Sequence, residues 1–224
     1  MSRKAVVLLS GGLDSACALY WAASRGWRPS ALSVGYGQRH ERELESARKL
    51  ARAAGASHRE VRLDLPWLKA SSLVDGRKAL PDLPLSRIGK GGVPSTYVPG
   101  RNTVLLSLAV SLADAEGAEA IVIGANILDY SGYPDCRGPY LRAMEKAATL
   151  GTKRGTSGKR LRVLAPLIRL DKAGIVRLAR RLKVPIGLTW SCYRGGRKPC
   201  GACDSCKLRA KGFREAGLSD PALP

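Results

Sequence analysis

Ser10-Gly11-Gly12-Leu13-Asp14-Ser15 packs two hydroxyls, two glycines and a carboxylate into six positions, a combination suited to holding phosphate. The glycines let the backbone approach an anion without a Cβ in the way. The serines offer hydroxyls, and a helix starting here offers unpaired N–H groups at the positive end of its dipole. A loop that grips β- and γ-phosphates for γ-transfer carries Gly-Lys-Ser/Thr, and that triplet occurs nowhere in the chain. The chemistry to expect is therefore phosphate binding without the lysine that accompanies kinase-type transfer. A plainer reading makes Ser-Gly-Gly an ordinary strand-to-helix turn capped by Asp14 or Ser15.

A second group of chemically active residues lies at the far end of the chain. Cys192, Cys200, Cys203 and Cys206 are four of the six cysteines and fall within a short, glycine- and proline-containing segment. Such crowding points to metal rather than to disulfides, and four thiolates complete a closed tetrahedral zinc site with no open position for catalysis. Iron–sulfur clusters use the same ligand set. The segment holds too few apolar residues to fold unaided, so a metal there would be structural. Of the other two thiols, Cys17 reads as core and Cys136 as a small packed side chain. His58 reads as surface, and His40, entering a helix, as structural or exposed.

The 224 residues carry 38 Lys and Arg against 18 Asp and Glu, a net charge of +20. Residues 151–224 account for +14 of it. A basic surface supplies sequence-independent affinity for nucleic acid. It also offsets the charge of a thiolate–metal centre, and Arg194, Arg197, Lys198, Lys207, Arg209 and Lys211 lie close to the four cysteines in sequence. No basic-aromatic repeat accompanies the charge. No apolar run reaches the 18 or so residues of a membrane span, so the chain reads as cytoplasmic, with no membrane partner and no obligate nucleic acid.

Positioning these groups requires alternating strands and helices. Strands are expected at Lys4 to Ser10, Ser30 to Gly35, Val61 to Leu65, Ala120 to Gly124 and Leu161 to Ala165. Helices are expected at Ser15 to Ser24, Glu41 to Ala54, Arg101 to Ala115, Tyr140 to Leu150 and Lys172 to Leu182. The pattern predicts an α/β fold, a doubly wound, mostly parallel sheet over residues 1–188, with a small cysteine-rich segment at 189–224. Ligands of such sheets gather beyond the carboxyl ends of the strands, so Ser10-Gly11, Gly35-Tyr36-Gly37 and Gly124-Ala125-Asn126 should converge on one crevice. Residues 74–94 and 152–160 read as loops.

Ser10 to Ser15 resembles the PP-loop of ATP pyrophosphatases, which cleave ATP between the α- and β-phosphates. Three further segments carry a closer resemblance: Gly35-Tyr36-Gly37-Gln38-Arg39-His40, Val98-Pro99-Gly100-Arg101-Asn102 and Asp129-Tyr130-Ser131-Gly132-Tyr133-Pro134-Asp135-Cys136-Arg137. With the four-cysteine pattern they resemble the 7-cyano-7-deazaguanine synthase family of queuosine biosynthesis, over effectively the whole chain. The resemblance implies a PP-loop domain of the adenine nucleotide alpha hydrolase type and an ATP-dependent carbon–nitrogen ligase. Such an enzyme converts 7-carboxy-7-deazaguanine and ammonia to the 7-nitrile, through adenylated acid and amide, with two ATP consumed. It also implies ATP with Mg²⁺, one structural zinc and a homodimer.

On that footing ATP binding falls to Leu9, Ser10, Gly11, Gly12, Leu13, Asp14, Ser15, Ala16, Cys17, Ala18 and Leu19. Ser10, Asp14, Ser15 and Arg101 are the candidate catalytic residues. Arg101's planar fork can bind phosphate or carboxylate bidentately, although Arg101-Asn102 also reads simply as a helix start. Asn102, Asp129, Tyr133, Asp135 and Arg137 are candidates for the deazapurine, carboxylates suiting its N1–H and exocyclic amine; a turn built on Ser-Gly-Tyr-Pro-Asp is the alternative. The metal ligands are Cys192, Cys200, Cys203 and Cys206. A PP-loop enzyme acting on tRNA is one rival reading, and a non-enzymatic zinc-ribbon module another; the second leaves the phosphate loop unexplained.

Overall fold

A computed structural model describes residues 3–39, 41–127 and 132–222. Five parallel strands form one sheet: β1 (Arg3–Leu8), β2 (Trp27–Gly35), β3 (Ser57–Arg62), β4 (Ala120–Val122) and β5 (Arg162–Leu164), in the order β3-β2-β1-β4-β5. The helices are α1 (Leu13–Ser24), α2 (Arg42–Ala53), α3 (Arg101–Glu116), α4 (Gly138–Leu150), a single turn α5 (Lys153–Thr156), α6 (Lys172–Arg181) and α7 (Asp204–Ala216).

The central strand explains the two-layered helix arrangement. Ala5, Val6, Val7 and Leu8 are all buried, because both faces of a parallel sheet are covered. Ala5, Val7 and Leu9 pack with Leu19 of α1, Leu50 of α2, Ile175 of α6 and Phe213 of α7. Val6 and Leu8 point the other way, into a core with Leu106 of α3 and Leu141 of α4. This alternation is the period-2 signature of a strand. The chain leaves β1 toward β2 on one side and returns to β4 on the other, so the strand order reverses at the end of β1. A crevice opens at such a reversal.

The elements fall where the periodicity put them, with one strand displaced. The third strand is Ser57–Arg62 rather than Val61 to Leu65. It is an edge strand of alternating exposed and half-buried residues, and its polar Ser-His-Arg-Glu sequence hides the strand signal until Val61. His58 is likewise more than surface: its Nε2 lies 2.9 Å from Ser33 Oγ, which donates to the Leu9 carbonyl at 2.6 Å. Part of 152–160 winds into α5. The cysteine-rich segment contains a full helix, α7, whose Phe213 joins the main core.

Candidate active site and cysteine centre

Gly11 sets the shape of the phosphate loop. It holds φ at +89°, and a Cβ on it would lie 2.1 Å from the Glu43 carbonyl oxygen, so only glycine fits between β1 and α2. The two serines then close on each other. Ser10 Oγ and Ser15 Oγ are 3.0 Å apart, the Ser10 amide donates to Ser15 Oγ at 3.2 Å, and Ser15 Oγ donates to the Gly12 carbonyl at 3.1 Å. No side chain caps the start of α1, which begins directly after Gly12. Its first amides are left to face whatever occupies the loop.

Asp14 enters the site from the first turn of α1. Lys172 Nζ, at the start of α6, donates to both its carboxylate oxygens at 2.8 Å, and Asn126 Nδ2 donates to Oδ2 at 2.9 Å. The pair is mostly buried, so its attraction is little screened. Lys172 is 158 positions from Asp14, and no local pattern marks it as a site residue.

Arg101 opens α3, directly after Gly100 at φ +60°. The helix-start reading and the functional reading of this residue coincide, because its guanidinium lines the same cleft as the phosphate loop. Its Nη1 lies 3.5 Å from the Tyr36 hydroxyl. Burial works against the Arg101 charge, but Tyr36, with Cys136 and Tyr133 nearby, more than offsets this and holds the group charged. The turn at 132–137 fixes where Arg101 stands. Asp135, buried, accepts from the Asn102 amide at 2.9 Å and so caps α3; Asn102 Nδ2 donates to Cys136 Sγ at 3.1 Å; Tyr133 Oη is 2.9 Å from Thr96 Oγ1.

The cleft itself has a volume of about 270 Å³. Ser10, Asp14 and Ser15 lie at its phosphate end, and Leu8, Leu32, Val34, Leu105 and Ile123 supply apolar walls. Tyr36, Gly124 and Ala125 line it too, so the three glycine-bearing strand ends meet there. Of the sequence candidates, Leu9, Ser10, Asp14, Ser15, Arg101, Asn102 and Tyr133 line the cleft. Gly11 and Gly12 build the loop, while Leu13, Ala16, Cys17, Ala18 and Leu19 are buried in the core behind it. Burial, with Asp14 adding, pushes the Cys17 thiol up to about 12, so it stays protonated. Arg137 is exposed at the start of α4 and off the cleft lining. Asp129 and His40 lie outside the described residues. Sequence reasoning did not put Gln38, Arg39, Glu43, Lys172 or Tyr193 in the site; the polar run Gly35 to Arg39 was the available signal for the first two.

The four terminal cysteines come together. Their Sγ atoms all lie within 4.8 Å of one another, and Cys192, Cys203 and Cys206 are buried. A tetrahedron with metal–sulfur bonds of about 2.3 Å needs sulfurs somewhat under 4 Å apart, so this cage fits a single ion. Two backbone amides already point at the sulfurs: Cys200 N–H to Cys192 Sγ and Cys203 N–H to Cys200 Sγ, both 3.4 Å. Of the six basic residues expected to balance the thiolates, three are committed elsewhere. Arg209 forms a buried two-pronged pair with Asp220, Lys207 pairs with Asp82, and Lys211 pairs with Glu215 one turn along α7 at 3.7 Å.

The cysteine centre is wired into the active site. The Trp190 amide donates to the Gly11 carbonyl at 2.9 Å, Trp190 Nε1 donates to the Cys192 carbonyl at 2.8 Å, and Tyr193 reaches the cleft wall. The long loop is held there too, by the Leu83 amide on Asp204 Oδ1 at 2.9 Å and by Lys207 on the Leu83 carbonyl at 2.8 Å.

A family model described as "Queuosine biosynthesis protein QueC" matches residues 4–217. The protein named 7-cyano-7-deazaguanine synthase from Anaeromyxobacter sp. (strain Fw109-5) is 53% identical over 224 residues, covering 99% of this chain and 96% of the relative. The protein of the same name from Thermoplasma acidophilum is 51% identical over 219 residues, covering 98% and 91%. Among solved structures, the NMN synthetase from Francisella tularensis superposes with a TM-score of 0.52 at 18% identity, covering 99% of this chain and 81% of that one, which shows the shared fold. By its sequence along almost its whole length, the chain belongs to the QueC family of queuosine biosynthesis proteins.

Proposed function

We propose that the chain makes 7-cyano-7-deazaguanine from 7-carboxy-7-deazaguanine and ammonia, using two ATP. Its close relatives carry the name of this activity across nearly their full length. The observation that carries the mechanism is the lysine-free serine–glycine loop sharing one cleft with Arg101.

A carboxylate is a poor acyl donor, since its leaving group would be oxide. Attack of its oxygen on the α-phosphate converts it to an acyl adenylate; ammonia then displaces AMP to give the amide. Activation of the amide oxygen in the same way permits loss of AMP to the nitrile. In this reading Ser10, Ser15 and the first amides of α1 hold the departing pyrophosphate. Asp14 would hold Mg²⁺, which would screen phosphate charge. Lys172, seated on Asp14 at the phosphate end of the cleft, supplies a positive charge beside the phosphates. Arg101 faces the carboxylate or the α-phosphate, with Asn102 and Tyr133 beside it toward the deazapurine. Asp135 acts at one remove, by fixing the start of α3.

The cysteine centre is assigned to one structural zinc on Cys192, Cys200, Cys203 and Cys206. With all four ligands from the protein it supplies rigidity rather than an open coordination position. The reading includes a cytoplasmic homodimer with no nucleic-acid substrate.

Incubating the chain with ATP, ammonium and 7-carboxy-7-deazaguanine should release AMP and yield the nitrile by mass spectrometry. AMP release driven by bulk tRNA instead would overturn the assignment.

A further inference from the structure

One ionisable group lining the cleft has no partner that explains it. Glu43 lies in the first turn of α2, and its backbone carbonyl is the atom that Gly11 packs against, so it stands beside the phosphate loop. Among the described residues no hydrogen bond reaches its carboxylate, and the charge acting on it is that of Arg101. The other charged residues lining the cleft are engaged. Asp14 holds Lys172 and Asn126, Arg39 donates to the carbonyl of Asp75 at 2.7 Å, and Arg101 leans on Tyr36. A half-buried carboxylate that lines a cleft with no protein hydrogen bond is placed to act on a ligand there.

The proposed reaction lacks one component so far, an acceptor for the protons of nitrogen. We infer that the Glu43 carboxylate is the general base of both half-reactions, an inference that rests on the function proposed above. In the first half, ammonia adds its electron pair to the adenylate carbonyl, whose π pair moves to oxygen. Glu43 takes one N–H proton, the carbonyl re-forms, and AMP leaves with the C–O bonding pair. In the second half, the amide oxygen attacks the α-phosphate and pyrophosphate departs, leaving a protonated imidate. Glu43 removes one N–H proton from it. After passing that proton to solvent, it removes the second, whose bonding pair becomes the third carbon–nitrogen bond as AMP again leaves with the C–O pair.

The environment matches the task. Burial pushes the Glu43 carboxyl up from its ordinary value to about 7, with Arg101 pulling the other way, so base and acid forms coexist near neutral pH. Of the charged groups that share the cleft with it, Asp14 on α1, Arg39 before α2 and Arg101 on α3, Arg101 is the one that acts on it.

Glu43→Gln and Glu43→Asp separate this role from a structural one. Adenylation is read by ATP–pyrophosphate exchange with the deazapurine acid and no ammonia, and nitrogen chemistry by nitrile formation. Glu43→Gln should keep exchange within about threefold of the parent while nitrile formation falls about 10²- to 10⁴-fold, and Glu43→Asp should recover part of the loss. At a fixed concentration of free ammonia, the parent's rise in nitrile rate with pH below about 7 should vanish in Glu43→Gln. Nitrile formation by Glu43→Gln within threefold of the parent, or loss of exchange and nitrile by the same factor, would overturn the inference and leave the proposed function standing. A parent chain that exchanges but makes no nitrile would overturn both.

Discussion

Individual residues in this chain are constrained by very close neighbours. Gly11→Ala would place a methyl group on the Glu43 carbonyl at a left-handed backbone angle. We expect it to cost about 2 kcal/mol or more, and thermal unfolding should fall by roughly 4–8 °C. Lys172→Met removes the ammonium that neutralises Asp14 and, in our reading, the phosphates. The KM for ATP in pyrophosphate exchange should rise about ten- to a hundredfold, the worth of a charge-assisted hydrogen bond. Glu43 ties function to stability with a definite sign. Its folded pKa, about 7, is above its ordinary value, so its contribution to stability is complete in acid and is lost as pH rises through about 7. Glu43→Gln should therefore raise the melting temperature relative to the parent at pH 8, with no such gain at pH 4. At this scale the sequence made the phosphate loop readable, because its glycines and serines are contiguous. Lys172 and Glu43 were illegible: each becomes a site residue only through contacts across the fold, 158 positions away for the lysine.

Secondary elements were readable wherever a buried face repeated at their own period, as in the amphipathic α2 and α6. The third strand shifted because an edge strand needs apolar residues on one side at most. α7 went unseen because the cysteines around its start are spaced by metal geometry rather than helix packing, although Cys206 and Phe213 share that helix. Two anchors hold this end of the chain. Arg209 and Asp220, each 6% exposed in their side chains, form a two-pronged ion pair, and the guanidinium also reaches Thr189 and Ser191. Arg209→Ala leaves a buried carboxylate alone and should cost about 3–5 kcal/mol, measured by denaturant unfolding. The thiols are the other anchor. Cys206 hydrogen-bonds Cys203 and holds its thiol below the ordinary value, while Cys206 itself is pushed up, so metal entry must expel protons and weaken in acid. Cys203→Ser should lose the bound metal, by atomic absorption, and unfold the segment at 189–212, taking with it the Trp190 clasp on Gly11 and the Tyr193 cleft wall; a variant that keeps its metal tightly would contradict this.

The whole molecule carries +20, concentrated toward its end, without the stacking aromatics of a single-strand binder. Any retention of bulk tRNA should therefore be the salt-sensitive kind and disappear between about 50 and 200 mM salt, with no AMP release accompanying it; filter binding alongside the ATP assay checks both. Fold class was legible because strand and helix periods alternate from end to end, whereas the site is assembled from both extremes of the chain and could be read only in part. The bond from the Trp190 amide to the Gly11 carbonyl makes this concrete. During synthesis on the ribosome the glycine turn emerges well before the group that clasps it. A nascent chain halted before Trp190 therefore presents a nucleotide loop without its clasp.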